Sequence, residues 1–296
     1  MQNFIVTTDS GCDLPIELLN ERKIVPIKLC YEVNGELVED TMEAADCREF
    51  YEKMRRGAAP KTSQINKEQF KEFFFSLLGE KKPILHISLG SAVSGTYKSA
   101  AAAAEELKQE RGAEIFTLDS TLCSTGYGML ALKAAEMRDN GEDVRACFEY
   151  LQRHKINVNT WYTTDELMYL RRSGRCSRAA ALIGGVFKIC PILNLDAAGH
   201  LIVQQRVRGY KQTVKRIFEI VKQTALNAGE QTLYICHSDV PERAREFGEA
   251  LKKEAGFKDV YYTYIGTIIG SNCGPGLVAA FYYGTPRDMT GYDKKD

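Results

Sequence analysis

Short apolar runs alternate with longer amphipathic segments along the first half of the chain. The apolar runs predict strands at Phe4–Thr8, Val25–Val33, Ile84–Leu89 and Glu114–Leu118. The amphipathic segments predict helices at Pro15–Glu21, Cys47–Arg56, Lys67–Leu78, Gly95–Glu110 and Thr125–Arg138. Because a strand is followed by a helix several times in succession, the pattern favours an α/β domain with a mainly parallel sheet.

The pattern changes near Lys155, where the signal of a β-hairpin joins the alternation of strands and helices. The hairpin has Gly199 in its turn, within the stretch AAGHLIVQQRVRG. Further strands are predicted at Ile156–Thr163, Thr232–Cys236 and Asp259–Tyr264, and helices at Tyr210–Asn227 and Glu242–Glu254. We therefore expect two α/β domains, residues 1–155 with a mainly parallel sheet and residues 156–296 with a mixed sheet.

Composition narrows the possible functions. The formal net charge is zero, so the chain lacks the overall positive charge that favours a nucleic acid or a membrane surface. No apolar stretch reaches the roughly 18 residues of a membrane span, and the N-terminus lacks the pattern of a signal peptide. The nine cysteines are scattered, without a C-x-x-C pair. We therefore expect a cytoplasmic protein with reduced thiols, no structural zinc, no nucleic acid partner and no stable membrane insertion.

The turn before the fourth predicted helix joins Gly90 and Gly95 in the spacing of a phosphate-binding loop. That loop continues with lysine and then serine or threonine, and the lysine is missing here. A hydrolase elbow would need glycine two residues before Ser94, where the chain has Ala92. The simplest interpretation is that Ser94 caps the helix. A capped helix N-terminus also offers free N–H groups and a partial positive charge, so it can seat an anion.

Three other segments offer polar groups for binding. The stretch PKTSQ precedes the third predicted helix and supplies the hydroxyl of Thr62, either as an ordinary loop or as part of a site. The basic turn LRRSGRCSRAA carries four arginines, among them Arg172 and Arg175, and is either solvated or meets a phosphate or an acidic partner. The stretch GTIIGSNCGPGLVAA has a tight Gly-Pro-Gly turn after a strand-like run and presents Asn272. Two hydroxyls with helix-terminal N–H groups are able to hold a carboxylate without a lysine or arginine.

An enzymatic interpretation needs a nucleophile and a base. Ser94 or Cys273 is the candidate nucleophile, and His237 is the candidate base because it follows a predicted strand. Another histidine, His86, lies within a strand pattern and is typical of a core residue. The sequence has neither an H-E-x-x-H motif nor carboxylates with metal-ligand spacing, so no metal is expected.

Several short motifs occur in order along nearly the whole chain. They are TDSGCDLP, PKTSQ, SAVSGTYKSA, LDS, LRRSGRCS, KICPIL, VRG and GPG. Each motif is weak alone, but together they make the sequence resemble the DegV family of bacterial fatty-acid-binding proteins. The resemblance implies two α/β domains with a long-chain fatty acid bound between them or within the first, and no cofactor.

The resemblance also implies roles for particular residues. Hydroxyls at the positions of Thr62 and Ser94 would hold the fatty acid carboxylate, with Asn272 beside them. The expected supporting residues are Ser63, Gly95, Thr96 and His237. In better understood relatives a separate ATP-binding subunit, the fatty acid kinase catalytic subunit, converts the bound carboxylate to an acyl phosphate. This chain would then be a non-catalytic lipid-binding subunit, in which Arg175 and Arg172 meet the phosphate or the partner.

One position departs from the family pattern. The family usually has histidine two residues before the first glycine of the GPG motif, where this chain has Asn272. Asparagine donates hydrogen bonds but does not titrate near neutral pH, so a role that needs an imidazolium is not expected here. Two alternatives stay open: a serine or cysteine hydrolase that acts on acyl substrates, and a lipid-sensing regulatory protein that needs no kinase.

Overall fold

The first half of the chain alternates strands and helices, as its periodicity predicts. The computed structural model describes residues 3–164, 166–176 and 189–287. In chain order the elements of this half are β1 (Ile5–Asp9), α1 (Ile16–Glu21), β2 (Ile24–Ile27), β3 (Cys30–Val33), β4 (Glu36–Glu39), α2 (Ala44–Arg55), β5 (Lys61–Ser63), α3 (Lys67–Leu77), β6 (Ile84–Ser88), α4 (Thr96–Arg111), β7 (Ile115–Asp119), α5 (Thr125–Asp139) and α6 (Val144–His154).

Four of these strands form the parallel sheet that the sequence predicts. Their order is β2-β1-β6-β7, and each neighbouring pair is parallel. Helices α3 and α4 pack on one face of the sheet and α5 and α6 on the other, so β1 and β6 are buried at every position. His86 on β6 lies in this core, with its Nδ1 2.9 Å from the hydroxyl oxygen of Thr7. The carboxyl ends of the parallel strands therefore share one edge, where their polar turns meet.

The prediction of a single strand at Val25–Val33 is wrong. This stretch forms two strands. It divides into β2 and β3, which belong to different sheets, because the backbone turns at Leu29. The Leu29 N–H donates to the Ser10 hydroxyl (3.1 Å), and the Leu29 carbonyl accepts the Asp40 N–H (2.9 Å). After this turn, β3 forms a small antiparallel sheet of order β4-β3-β5, which carries Thr62 on β5. The short strands β4 and β5 were not predicted from the sequence.

The second half contributes a larger, mixed sheet. Its elements are β8 (Val158–Thr163), α7 (Leu167–Ser173), β9 (Ile189–Leu195), β10 (Leu201–Arg208), α8 (Tyr210–Thr224), β11 (Thr232–His237), α9 (Pro241–Ala255), β12 (Asp259–Tyr264), α10 (Thr267–Cys273) and β13 (Val278–Tyr283). The strand order is β10-β9-β8-β13-β11-β12; β11 and β12 are parallel and the other pairs antiparallel. Helices α8 and α9 pack on one face around Trp161. The mixed sheet confirms the predicted fold class, and the domain boundary at residues 155 and 156 stays a prediction.

The segment after β12 is a helix, although its sequence suggests a strand-like run. At the start of α10, the Thr267 hydroxyl donates to Asp40 Oδ1 (3.0 Å), and the Gly266 N–H donates to Asp13 Oδ1 (2.9 Å). Ile268 is buried against α2 and the small sheet. These tertiary contacts stabilise helix at paired isoleucines whose intrinsic preference is for strand.

A buried tyrosine also fastens this segment to the first half of the chain. Tyr51 on α2 is fully buried, and its hydroxyl donates to the Ile265 carbonyl (2.7 Å). The approach requires glycine at Gly270, because a Cβ there would lie 2.4 Å from the Tyr51 hydroxyl. An ion pair between Arg55 and Asp239 joins the same two parts of the chain nearer the surface. The position of α10 therefore depends on side chains that precede it by about 200 residues.

We expect Tyr51→Phe to lower the free energy of unfolding by about 1–3 kcal/mol, because the buried Ile265 carbonyl would lose its partner. Chemical denaturation followed by circular dichroism measures this change. Tyr261→Phe, at a half-exposed tyrosine of β12, is the control and should change the free energy of unfolding by less than about 0.5 kcal/mol. Unchanged stability of Tyr51→Phe would contradict the role assigned to this hydroxyl.

Candidate ligand-binding site

A cavity of about 320 Å³ is lined by residues from both halves of the chain. Its volume lies within the range of small-molecule pockets, roughly 300–1,000 Å³. Hydroxyl, amide and guanidinium groups contribute to the lining, but most of the lining side chains are apolar. The apolar ones include Leu29, Leu89, Val93, Leu170, Leu195, Leu201, Ile265, Ile268, Ile269, Leu277, Ala279 and Phe281. This composition suits an amphipathic ligand with a long apolar part.

One face of the mixed sheet forms an apolar floor for the cavity. Strand pairing places Leu201 opposite Leu195, and Phe281 opposite Thr160. The antiparallel register of β8 and β9 puts Thr160 level with Leu195. These four residues, which we call the floor row, therefore lie side by side across four strands, and all of them line the cavity.

The polar part of the lining comes from motifs that the sequence analysis singled out. The predicted site residues that line the cavity are Thr62, Ser63, Ser94, Gly95, Arg175 and Asn272. They meet because the turn after β6 lies at the carboxyl edge of the parallel sheet, while α10 packs against the small sheet that carries β5. The fold thus brings together residues separated by more than 200 positions. Their role toward a carboxylate stays a prediction.

Ser94 lies one position before the helix cap rather than at it. The N-cap of α4 is Gly95, and Ser94 Oγ accepts the Thr96 N–H (3.2 Å). The preceding turn is held at Gly90, whose N–H donates to the Leu122 carbonyl (2.8 Å). A Cβ at Gly90 would lie 2.9 Å from the Leu122 backbone, so the turn requires glycine there. The hydroxyl of Ser94 and the positive end of α4 are thereby placed together at the cavity.

Asn272 and Arg175 reach the cavity from the second half of the chain. The Asn272 amide donates one hydrogen bond to the Ile268 carbonyl one helical turn earlier (3.0 Å), which leaves its other N–H for a ligand. Arg175 is exposed at the rim, where its guanidinium donates to the Ser173 carbonyl. Arg178, the last arginine of the basic turn, lies outside the described residues.

Thr96 and Arg172 lie outside the cavity lining. Thr96 is fully buried, and its hydroxyl oxygen is 2.8 Å from that of Ser94. The Arg172 guanidinium stacks over the Tyr169 ring, 5.2 Å from its centroid. Tyr169 in turn rests on Gly274, where φ is +72° and a Cβ would lie 2.2 Å from the ring. Thr96 therefore contacts the site through Ser94, and Arg172 packs beside it without lining the cavity.

His237, the candidate base, also lies outside the cavity lining. Burial lowers the pKa of His237 to about 4, and its carbonyl accepts the Ile265 N–H (2.8 Å). Burial raises the pKa of the Cys273 thiol well above its usual value, whereas a nucleophilic cysteine needs a lowered pKa. The Ser94 hydroxyl contacts a threonine rather than a histidine. The two candidate nucleophiles, Ser94 and Cys273, therefore lack the hydrogen bond to His237 that the hydrolase hypothesis requires.

Two buried carboxyl groups hold residues of the cavity wall, and a third, Asp40, holds the start of α10. Asp9 Oδ2 accepts the N–H of Leu89 (3.0 Å), and Asp13 Oδ2 accepts the hydroxyl of Ser124; both donor residues line the cavity. Burial raises the pKa of Asp9 to about 6 and also raises the pKa of Asp13 and Asp40. Asp13 lies within the motif TDSGCDLP, but no supporting role was predicted for Asp13 or Asp40, because an aspartate near a turn carries no local signal of burial.

The described part of the chain lacks two further kinds of feature. Its helices do not combine the length and the apolar character that crossing a membrane requires. Its His, Cys, Asp and Glu side chains form no group of three or more that could hold a metal ion.

Known proteins match the chain over almost its whole length. A family model described as "Uncharacterised protein, DegV family" matches residues 3–285. This chain belongs to the DegV family. A DegV domain-containing protein of Clostridium perfringens, CPE0026, is 33% identical over 290 residues, which cover 97% of this chain and 100% of the relative. Protein DegV of Bacillus subtilis is 30% identical over 282 residues, which cover 93% of this chain and 97% of the relative.

Solved DegV structures share the fold. The structure of DegV from Bacillus subtilis, described as a fatty acid binding protein, has a TM-score of 0.83 and 27% identity and covers 96% of this chain and 100% of its own. A DegV lipid binding protein from Thermotoga maritima has a TM-score of 0.83 and 25% identity, with coverage of 96% and 99%. The two α/β units, the first with a parallel sheet and the second with a mixed one, are thus the DegV fold.

We expect Asp40→Asn to reduce the loss of stability that accompanies rising pH. A carboxyl with a raised pKa in the folded protein holds its proton more tightly there than in the unfolded chain. Its contribution to stability is therefore complete at acidic pH and declines as the pH rises through the raised pKa. Asparagine at this position keeps an oxygen that accepts the hydrogen bond from the Thr267 hydroxyl, but it cannot carry the negative charge. Free energies of unfolding from pH 4 to pH 8 should then fall less steeply than in the parent protein.

The matched control for this experiment is Asp46→Asn. Asp46 is exposed and accepts a hydrogen bond from the Thr41 hydroxyl (2.7 Å). Both substitutions remove one negative charge, so a difference between their slopes of stability against pH reflects the burial of Asp40. A slope in Asp40→Asn as steep as that of the parent would contradict the assignment of Asp40.

Proposed function

We propose that this protein binds a long-chain fatty acid in the cytoplasm and presents its carboxylate to a separate kinase subunit. The observation that carries the proposal is a cavity in which an apolar floor is combined with hydroxyl groups at a helix N-terminus. Structures of the relatives from Bacillus subtilis and Thermotoga maritima are described as fatty acid or lipid binding, which supports the same ligand class here.

The acyl tail would supply most of the affinity. A C16 chain buries about 14 methylene groups at about 0.8 kcal/mol each, or about 11 kcal/mol before the costs of association and ordering. The floor row and the isoleucines of α10 provide the apolar surface for this burial. Because the tail contributes so much, the head group needs only enough hydrogen bonds to keep its charge from being buried without partners.

The hydroxyls of Thr62 and Ser94, together with the remaining N–H of Asn272, would hold the carboxylate. The N-terminus of α4 adds a partial positive charge at the same place. A lysine or arginine in direct contact would bind the carboxylate more strongly but would also reduce its reactivity toward ATP. Hydroxyl donors satisfy the carboxylate while one oxygen keeps its nucleophilic character.

In the proposed kinase-linked reaction, the phosphate would lie near the rim of the cavity. One carboxylate oxygen would attack the γ-phosphorus of ATP held by the kinase, and the bond to the leaving ADP oxygen would break to give an acyl phosphate. Arg175 is exposed at the rim, so its guanidinium is placed to meet the transferred phosphate or the partner. Arg172, which packs on Tyr169, would support the segment that carries Arg175.

We expect Thr62→Ala and Ser94→Ala each to weaken the binding of hexadecanoic acid about three- to tenfold, because each removes one hydrogen bond to the carboxylate. The double variant should bind more weakly than either single variant. Isothermal titration calorimetry on delipidated protein measures these affinities. Ser99→Ala, on the same helix but outside the cavity lining, is the matched control and should bind like the parent. A parent protein that ignores fatty acids would refute the proposed function.

We expect Arg175→Gln to bind hexadecanoic acid normally but to support slower formation of acyl phosphate when a fatty acid kinase subunit and ATP are added. The reason is that Arg175 would meet the phosphate rather than the acyl chain. Mass spectrometry of the acyl phosphate gives the rate. Arg245→Gln, at an exposed position of α9, is the control. Binding without any acyl phosphate in the parent protein would favour a lipid-sensing regulator instead.

A further inference from the structure

The floor row contains one hydroxyl group whose hydrogen bonding is incomplete. Thr160 is 2% exposed, and its Oγ1 is buried without a hydrogen-bond partner among the residues that the structure describes. Its neighbours in the row, Leu195 and Phe281, have hydrocarbon side chains. Burying such an oxygen gives up its hydrogen bonds to water with nothing in return, and most buried hydroxyls in proteins avoid this.

A second threonine of the same strand, Thr163, does not lie at the cavity. Its hydroxyl is also buried without a partner among the described residues. Successive strand residues point to opposite faces, so Thr163 lies on the face of the sheet opposite to Thr160. Accordingly, Thr160 lines the cavity and Thr163 does not. Within β8, a ligand in the cavity can therefore complete the hydrogen bonding of Thr160 alone.

We propose that the cavity accepts a fatty acid that carries a hydroxyl group on its chain, and that Thr160 is the hydrogen-bond partner of this group. The inference rests on the proposed function, because it concerns the chain of the same ligand. A threonine hydroxyl and a chain hydroxyl each donate and accept, so the pair satisfies both groups. At the other positions of the floor row, a chain hydroxyl would face leucine or phenylalanine and stay unpaired.

The Thr160 oxygen is enclosed, so the contact requires rotation about the Cα–Cβ bond. This rotation leads from one staggered rotamer to another and turns the hydroxyl toward the ligand. The hydroxyl and methyl groups of threonine are similar in size, so the rotation changes the polarity of the lining more than its shape.

Calorimetric titration with hexadecanoic acid and a positional series of its monohydroxy derivatives tests the proposal. In the parent protein, the isomer whose hydroxyl reaches Thr160 should bind at least tenfold more tightly than the other isomers. Thr160→Val is nearly isosteric and should reduce this ratio to about twofold or less. Thr160→Ser keeps the hydroxyl and should retain the preference, which separates the loss of the hydrogen bond from a change in packing.

Thr163→Val is the matched control, because it removes a partnerless hydroxyl from the same strand without touching the cavity. Its preference among the isomers should equal that of the parent. Equal binding of all isomers by the parent, or a preference that survives Thr160→Val, would overturn the proposal. The proposal would also be overturned if Thr160 increased the affinity for a cis-unsaturated acid but not for any of the hydroxy acids. Hexadecanoic acid binding in the same series shows separately whether the proposed function holds.

Discussion

The segment at residues 265–267 is hydrogen-bonded to side chains of the first half of the chain, and the cavity depends on these bonds. The Tyr51 hydroxyl donates to a carbonyl of this segment, Asp13 accepts its glycine N–H, and Asp40 accepts its threonine hydroxyl. Burying carboxyl groups is costly, and their raised pKa values reflect this cost. The benefit is a defined start for α10, whose isoleucines form part of the cavity wall.

The two larger sheets contribute different chemistry to the same cavity. The parallel sheet ends in polar turns, since the carboxyl ends of its strands share one edge. The mixed sheet presents a face with side chains at every second residue, and this face becomes the apolar floor. An amphipathic acid fits between them because its head and its tail require these two environments. The position of Thr160 adds one polar group to the floor, where a chain with its own oxygen would find a partner.

The elements predicted correctly from the sequence are those with strong local signals. Buried strands such as β6 are continuous apolar runs, and their predicted bounds differ from the observed ones by about one residue. The turn around Ser94 was identified because serine and glycine before an alanine-rich helix are a strong local pattern. The prediction failed at Val25–Val33, where hydrogen bonds to Ser10 and Asp40 turn the chain. It also failed at α10, where hydrogen bonds to distant carboxyl groups hold the start of a helix that begins with Thr-Ile-Ile. Asp13 lies within the motif TDSGCDLP, but neither Asp13 nor Asp40 has neighbours in the sequence that indicate its contact with α10.

The α/β class, the parallel and mixed sheets, and the short motifs that place hydroxyls, an amide and arginines near turns all follow from the amino-acid sequence alone. Those properties depend on periodicity and on turn chemistry, which act over a few residues. Only the tertiary structure decided that Thr62, Ser94 and Asn272 line one cavity, and that His237 supports its wall through the backbone. It also decided that Thr160 faces the cavity while Thr163 does not. These outcomes depend on strand register and on hydrogen bonds across as many as about 250 residues, which no local pattern can encode.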